Sequence, residues 1–253
     1  MTLIADPIQL LAEAKREGID TQVYQWGSYA TYDQYRLPFR KTAPHLSTLG
    51  RTLDWGCGNG HFSYFLTRNG VQTVGYSFED PPAPLKGSPR FEHVRGRAGE
   101  PVKLPFESAS FDTVFSIGVL EHVHEFGGDQ KASMQEVHRI LKPGGTFFIY
   151  HLPNRYTWIE FVVRQLNRWL KNKKHQHSRL FTFGEFNRLL EGTSFELLAS
   201  GRYNFLPRNE LQKIPAIADT PAGARLIDWF DGLFAALLPW FCQNWYFVLR
   251  KRV

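Results

Sequence analysis

Residues 53–62, LDWGCGNGHF, place three glycines at alternate positions directly after a short apolar run. Glycine inside a regular element costs about 0.5–1 kcal/mol relative to alanine, so this spacing needs a reason. Glycine allows a positive φ and lets a ligand lie against bare backbone. A dinucleotide-binding G-x-G-x-x-G loop would have its third glycine at His61, so the pattern argues against a nicotinamide-dependent oxidoreductase.

Outward from this loop, short apolar runs alternate with amphipathic segments, which predicts a doubly wound α/β fold with a mostly parallel seven-stranded sheet. We expect residues 1–50 to form an N-terminal helical and aromatic cap, and residues 51–253 to form the core. The predicted strands are 52–55, 71–76, 91–94, 111–117, 146–151, 195–199 and 245–249. The predicted helices are 61–67, 129–141, 156–171 and 182–191, besides one from Pro7 to Gly18.

The composition is that of an ordinary globular protein. The chain has 253 residues, of which 43% are hydrophobic, and its net charge of +6 permits anionic partners. The chain has two cysteines, Cys57 and Cys242, far apart in sequence, which are neither a disulfide framework nor a zinc motif and favour a cytoplasmic location. The first ten residues, MTLIADPIQL, contain an early acid and do not resemble a secretory signal.

Residues 232–249 carry no charged side chain, and this length reaches the lower edge of a membrane span. Pro239, Gln243 and Asn244 interrupt the run. We therefore expect a buried helix that ends near Pro239, followed by the last strand of the sheet. A membrane-spanning helix is the alternative.

The glycine loop resembles motif I of the class I S-adenosylmethionine-dependent methyltransferases. Three further stretches follow in the order typical of that family: LPFESASFDTVFSIGVLEHV at 104–123, LKPGGTFFI at 141–149 and HSRLFTFGEFNRLLEGTSFELL at 177–198. The likeness is to the branch that includes ubiquinone and menaquinone biosynthesis enzymes. It implies the fold predicted above and S-adenosyl-L-methionine as the cofactor.

The resemblance also implies which residues hold this cofactor. Gly56, Gly58 and Gly60, with Cys57 between them, would cradle its methionine and ribose parts, and Asp54 would lie near the methionine end. Asp54 could instead only cap the next helix. Phe78 follows the position that faces the adenine. Ile117, Gly118 and His122 would border the methionine and the sulfonium, although His122 could also be an ordinary packed histidine.

Two acidic positions of the family pattern are missing. The family usually has an acid at the end of the second strand, where this chain has Ser77, so Glu79 or Asp80 could take that role. After the third strand, Arg97-Ala98 replaces the usual Asp-Ala pair, and an arginine cannot accept a hydrogen bond. These departures favour a second hypothesis, a degenerate binding module without turnover.

A hydroxyl acceptor must lose a proton during methyl transfer, and a histidine suits that role at neutral pH. His151 is the candidate, because it ends the fifth predicted strand. Asn154 and Arg155 follow it and could hold the substrate, as could Tyr29 from the N-terminal aromatic set. We therefore expect O-methylation of a small-molecule or lipid-linked acceptor, with N- and C-methylation left open. His151 could instead only end a strand at the surface.

A basic insertion at about 156–180 follows the fifth strand. Residues 161–184 contain six basic residues and no acid, and the predicted helix is amphipathic. Residues 164–179 could contact an anionic membrane surface, which would make the protein peripheral, or they could simply be solvated. No nucleic acid is expected, because no RNA- or DNA-binding module is recognisable.

Overall fold

A computed structural model describes residues 4–97, 99–170 and 177–253 and contains a seven-stranded sheet with the order β3-β2-β1-β4-β5-β7-β6. All neighbouring strands are parallel except β7, which is antiparallel to both β5 and β6. The predicted doubly wound, mostly parallel sheet is therefore confirmed. The strands are β1 (Thr52–Trp55), β2 (Thr73–Ser77), β3 (Phe91–Arg95), β4 (Phe111–Ile117), β5 (Leu141–Pro153), β6 (Phe195–Tyr203) and β7 (Asn244–Lys251).

Five of the described helices begin at a side chain that caps them. Asp6 accepts a hydrogen bond from Ile8 N at the first helix, and Thr182 and Glu185 form a capping box at the seventh. The helices are α1 (Pro7–Arg16), α2 (Tyr29–Tyr32), α3 (Arg36–Thr42), α4 (His61–Arg68), α5 (Gln130–Ile140), α6 (Trp158–Trp169), α7 (Phe183–Leu189), α8 (Arg208–Leu211), α9 (Pro215–Ala218) and α10 (Pro221–Leu237).

A hydrophobic core lies on each face of the sheet. On one face, α5 and α7 pack against the central strands, and Phe186 stacks on Phe247 with 3.6 Å between ring centroids. On the other face, the N-terminal helices pack against α4, and Phe39 stacks on Phe65 at 3.9 Å. Because each buried aromatic ring removes 150–250 Å² from water, the N-terminal residues are firmly held on the sheet.

Helix α10 corrects the expectation of a buried apolar helix. It ends at Leu237, close to the predicted Pro239, but its large apolar side chains are exposed, with Trp229 61% and Leu237 66% accessible. Its inward side is mixed, because Ala224 and Ile227 are buried there while Asp228 and Asp231 face the buried Arg208. Among the described residues, no helix combines the length and the apolar character needed to cross a membrane.

The strand order reverses between β1 and β4, which lie side by side at the centre of the sheet. The chain leaves β1 toward one face and β4 toward the other, so their following loops diverge. Ligands of open α/β sheets bind in the crevice that forms at such a point. The glycine loop after β1 and Gly118 after β4 both lie there.

Candidate cofactor site and adjoining polar cluster

The glycine loop folds back on the end of β2. Gly56 N and Cys57 N both donate to Tyr76 O, at 2.8 and 3.0 Å, and Gly60 N donates to Cys57 O at 2.8 Å. All three glycines have positive φ, 77° at Gly56, 46° at Gly58 and 78° at Gly60. A Cβ atom on Gly56 would meet Val119 at 2.4 Å, whereas one on Gly58 would have no described atom closer than 3.9 Å. Gly56 is thus required by close packing inside the protein, and Gly58 leaves its backbone open to a ligand.

A cavity of about 350 Å³ opens beside this loop at the carboxyl ends of β1, β2 and β4. Seven residues that the sequence pattern predicts for cofactor binding line it: Gly56, Gly58, Ser77, Phe78, Glu79, Gly118 and His122. The rest of its wall includes Trp55, Tyr76 and Phe126. A larger groove of about 790 Å³ lies between α1 and α4, away from these strand ends.

Glu79 is the acid at the cavity wall after β2. Ser77 stands where the family usually has an acid, and its Oγ lies 3.1 Å from His93 Nε2. Asp80 is turned to Arg95, 2.9 Å away. Of the two acids considered from the sequence, the structure therefore brings Glu79 to the cavity. Phe78 stacks on Phe126 at 5.4 Å and gives the same wall an aromatic surface.

Asp54 precedes the glycine loop and Cys57 belongs to it, and the side chains of both are buried. Asp54 is buried and accepts a hydrogen bond from Ser63 Oγ of α4 at 2.6 Å, and burial raises its pKa to about 6. Burial also raises the pKa of the Cys57 thiol, so this side chain stays protonated. The hydrogen bond from Ser63 favours a structural role for Asp54, which ties the loop to the start of α4.

The remaining cofactor candidates are scattered. Ile117 is buried at the end of β4. Arg97 is exposed, and Ala98 lies outside the described residues. The structure therefore gives no acid at the Asp-Ala position of the family pattern.

His151 is half-buried near the end of β5, and its ring Nε2 is fully buried. Its backbone N–H donates to Tyr203 Oη at 2.8 Å, and its φ is 57°. Nδ1 lies 3.3 Å from Asn244 Nδ2, whereas Nε2 is buried and has no hydrogen-bond partner among the described residues. Burial lowers the pKa of His151 to about 3, so its imidazole is neutral around pH 7.

Glu121 and His61, which the sequence analysis did not select, lie close to His151. A Cβ atom on Gly118 would be 3.6 Å from Glu121 Oε1 and 3.8 Å from His151 Cβ. The Tyr35 ring lies 4.5 Å from the His61 ring and 4.6 Å from the His151 ring. We call Tyr35, His61, Glu121, His151 and Tyr203 the polar cluster.

Several polar atoms of the polar cluster are buried without a partner among the described residues: Glu121 Oε2, both ring nitrogens of His61, and His151 Nε2. Burial raises the pKa of Glu121 to about 7. Buried polar atoms are normally hydrogen-bonded, so such a group needs an explanation, and a bound polar ligand supplies one. The sequence feature that could have identified Glu121 is its position as a carboxylate within the apolar run IGVLEHV at 117–123.

The three predicted substrate residues make contacts elsewhere. Asn154 is buried, and its Nδ2 donates to Trp240 O and Cys242 O, both at 2.8 Å. Arg155 pairs with Glu185 of α7. The Tyr29 ring lies under Lys15 of α1, 5.5 Å from Nζ to its centroid. These contacts hold elements together, and they do not bring the three side chains to the cavity.

The geometry of the site is that of a nucleotide-type cofactor cradle at the switch point of the sheet, and residues 53–149 match the model of the methyltransferase domain family. Those residues form a methyltransferase domain. The ubiquinone biosynthesis O-methyltransferase of Idiomarina loihiensis is 29% identical over 166 residues, which cover 62% of this chain and 66% of that protein. The match covers between about half and two thirds of the length of this relative and two others, and less of several further curated relatives. The predicted family of S-adenosylmethionine-dependent methyltransferases is thereby confirmed for the domain.

Solved structures show how widely the fold of this methyltransferase domain is shared. The 1,6-didemethyltoxoflavin-N1-methyltransferase of Burkholderia thailandensis, solved with S-adenosylhomocysteine, aligns with a TM-score of 0.56 at 18% identity over 100% of this chain and 93% of its own. The cyclase SpnF aligns with a TM-score of 0.55, also at 18% identity, over 87% of this chain and 83% of its own. Similarity at this level supports the fold alone.

Proposed function

We propose that this protein binds S-adenosylmethionine in the cavity beside Gly58 and transfers its methyl group to an oxygen atom of a small-molecule or lipid-linked acceptor. The observation that carries the proposal is the position of the cavity. It opens at the glycine loop of a methyltransferase domain, and Gly118 on its wall adjoins Glu121 and His151 of the polar cluster.

The residues of the cavity fit the cofactor. The open backbone at Gly58 leaves room for the methionine and ribose parts, Glu79 offers a carboxylate to hydroxyl donors, and Phe78 and Phe126 offer an aromatic surface to the adenine. When bound, S-adenosylmethionine supplies an activated methyl group on a sulfonium. The protein contributes position and the exclusion of water.

The polar cluster would act on the acceptor. His151 Nε2 is the atom that would take the hydroxyl proton, because it is buried, neutral and without a described partner. A base with so low a pKa is weak on its own, and a nearby carboxylate strengthens it by favouring the imidazolium. Glu121 is ionised above about pH 7 and would supply that charge.

Methyl transfer to oxygen is favoured over transfer to nitrogen or carbon for two reasons. A hydroxyl acceptor needs a base, and the buried Nε2 of His151 is a base close to the cavity wall. In addition, several relatives carry the name ubiquinone biosynthesis O-methyltransferase. A lipid-linked acceptor would be reached most easily from a membrane, and the basic segment 164–179 would bind the protein to that membrane peripherally. Of this segment, residues 171–176 lie outside the described residues.

The first experiment is calorimetric titration with S-adenosylmethionine and S-adenosylhomocysteine. We expect micromolar affinity, about −8 kcal/mol. Absence of heat with both compounds in the folded protein would contradict the proposal. Binding without transfer of a labelled methyl group to any of a panel of hydroxylated aromatic acceptors would favour the binding module.

The pH dependence of transfer tests the polar cluster. We expect kcat/KM to fall as the pH drops below about 7, because Glu121 then takes up a proton, and not to show a histidine limb near pH 6.5. In Glu121→Gln this acid limb should disappear and the rate above pH 8 should fall about tenfold or more. In His151→Asn, which tolerates the positive φ, the rate should fall about 100-fold while S-adenosylhomocysteine affinity stays unchanged. An unchanged limb in Glu121→Gln would remove Glu121 from the mechanism.

A further inference from the structure

The outer side of α10 and the turn that follows it form an exposed apolar surface. Leu226, Trp229, Leu233 and Leu237 recur at helical spacing and line one side of the helix. Trp240 and Phe241 extend this surface into the turn before β7 and are 61% and 45% exposed. We call these six residues the α10 face. Contiguous apolar patches on a protein surface mark interaction sites, whereas single apolar residues do not.

The α10 face is built into the fold and is not a loose end of the chain. On the opposite side of the helix, Asp228 and Asp231 lie 3.0 and 3.3 Å from the guanidinium of Arg208. Phe234 stacks on Phe205 at 5.3 Å. The helix is therefore fixed with this side inward, and its outer apolar side cannot turn away from solvent.

Helix α6 continues the apolar surface. Trp158 Nε1 donates to Phe205 O at 2.9 Å, so α6 and α10 meet through the same phenylalanine. Beyond that contact α6 leaves Phe161 and Trp169 exposed, the latter at 86%. The two helices thus present aromatic side chains from neighbouring parts of the protein.

The charges at this surface have one sign. All acids of the two helices are held inside: Glu160 lies 2.7 Å from His177, and Asp228 and Asp231 face Arg208. The cations Arg164, Arg168 and Arg225 are exposed.

A groove of about 660 Å³ lies on the inward side of α10, where Asp228 and Asp231 line it. Its cations therefore do not belong to the α10 face, and the positive charge of that face comes from Arg164, Arg168 and Arg225. An apolar face with cations and no free acid complements an anionic lipid surface.

We propose that the α10 face docks on an anionic phospholipid bilayer. A helix of 17 residues with one apolar side lies in the interface between headgroups and acyl chains, and Trp229 and Trp240 suit that depth. A second copy of the chain is a poorer occupant, because a two-fold contact would gather the exposed cations of two equally basic surfaces in one interface. This surface goes beyond methyl transfer and does not depend on it.

Sedimentation with vesicles tests the apolar part of the surface. We expect the full chain to pellet with phosphatidylglycerol vesicles and much less with phosphatidylcholine vesicles. Trp229→Ser/Leu237→Ser should weaken the binding about tenfold or more, because two large side chains no longer enter the bilayer. The matched control is Tyr24→Ser/Leu198→Ser, which removes two exposed apolar side chains outside α6 and α10 and should bind as the wild type does.

A second pair of variants tests the charge. Arg168→Gln/Arg225→Gln removes two exposed cations of α6 and α10 and should weaken binding to phosphatidylglycerol about tenfold or more. The control Lys86→Gln/Arg90→Gln removes two exposed cations between β2 and β3, beside the opposite edge strand of the sheet, and should have no effect. Equal losses in both pairs would show binding by net charge alone and would overturn the proposed surface.

Two further results would overturn the proposal. One is the absence of pelleting with either vesicle by wild-type protein that shows a cooperative thermal transition. The other is a dimer in sedimentation velocity that Trp229→Ser/Leu237→Ser dissociates, which would make the α10 face an interface between copies. Since no cofactor is added, a failure of methyl transfer leaves these measurements unaffected.

Discussion

At the scale of single residues, Gly58 is the glycine of the loop whose backbone lies open at the cavity. Its φ of 46° is left-handed, and a Cβ atom there would have only Gly56 O nearby, at 3.9 Å. Gly70 has a φ of 87° and likewise lacks close neighbours among the described residues, but it lies in the turn after α4. A substitution would therefore force the same left-handed backbone strain at both positions, and the positions differ in that only Gly58 lines the cavity.

This difference gives a matched pair of variants. Gly58→Ala and Gly70→Ala should each lose about 1–2 kcal/mol of unfolding free energy, because both force an L-residue into the left-handed region. Only Gly58→Ala should also weaken S-adenosylhomocysteine binding, by about tenfold or more. Urea unfolding and calorimetry measure the two quantities separately. Equal affinities in the two variants would exclude Gly58 from the cofactor site.

Glu79 and Asp80 are adjacent acids with different surroundings, and they form a second pair. Glu79 lines the cavity, whereas Asp80 pairs with Arg95 at the surface. Glu79→Gln should weaken S-adenosylhomocysteine binding about tenfold, since a hydrogen bond to a charged group contributes about 1.5–3 kcal/mol. Asp80→Asn should change it less than about twofold, because exposed ion pairs contribute little. If Asp80→Asn has the larger effect, the acid after β2 has been wrongly assigned.

At the scale of elements, local sequence signals predict existence and starting points better than ends. The predicted strand 52–55 agrees with β1, and α7 starts directly after its N-cap Thr182, close to the predicted position. Both signals, a short apolar run and a capping box, depend only on residues that are close together in sequence. Strand β6 runs to Tyr203, four residues beyond the predicted end, because β7 pairs with it over that length. The outward orientation of α10 was not predictable, since an apolar sequence does not say what the helix packs against.

Helix α8 contributes a buried arginine that connects separate elements. Arg208 of α8 is buried and lies 2.8 Å from the fully buried Asp33 of the N-terminal segment, and its guanidinium also faces Asp228 and Asp231 of α10. One cation therefore joins three separate parts of the chain. Burial raises the pKa of Asp33 even with Arg208 in place, so this carboxylate depends on its partners.

Arg208→Met should therefore lower the unfolding free energy by about 3–5 kcal/mol, because the buried Asp33 loses one of the two guanidinium groups that face it and keeps only Arg36. Lys213→Met removes an exposed cation that faces Glu210 at 2.6 Å and should cost less than about 1 kcal/mol. Urea unfolding of both variants makes the comparison. Adding Asp33→Asn to Arg208→Met should recover part of the loss, and a double variant less stable than Arg208→Met would contradict this explanation.

At the scale of the whole molecule, the residues that line the cavity were easier to predict from the sequence than the residues of the polar cluster. The cavity depends on strand ends that neighbour each other in any sheet of this order, so spacing alone brings Gly58, Phe78 and Gly118 together. The polar cluster instead depends on Tyr35, from the N-terminal segment, packing between His61 and His151. Contacts of that range leave no periodic pattern in the sequence.

The buried ionisable groups also link the whole fold to pH. Burial lowers the pKa of His61 and His151 to about 3, so between that pH and about 6.5 only the unfolded chain binds their protons. Their contribution to stability is therefore present above pH 6.5 and is lost as the pH falls. Asp54 and Glu121 act in the opposite sense, because their folded pKa values, about 6 and about 7, lie above those of the unfolded chain.

His61→Phe isolates one of these four groups. Its ring lies beside Tyr35, and neither of its nitrogens has a described hydrogen-bond partner, so a phenyl ring preserves the stacking. Relative to wild type, the variant should gain about 1.4 kcal/mol of unfolding free energy for each pH unit of acidification between about 6.5 and 4. Above pH 7 the two stability curves should run parallel. Urea unfolding across this range measures the slope, and curves that stay parallel down to pH 4 would mean that His61 titrates alike in the folded and unfolded chains.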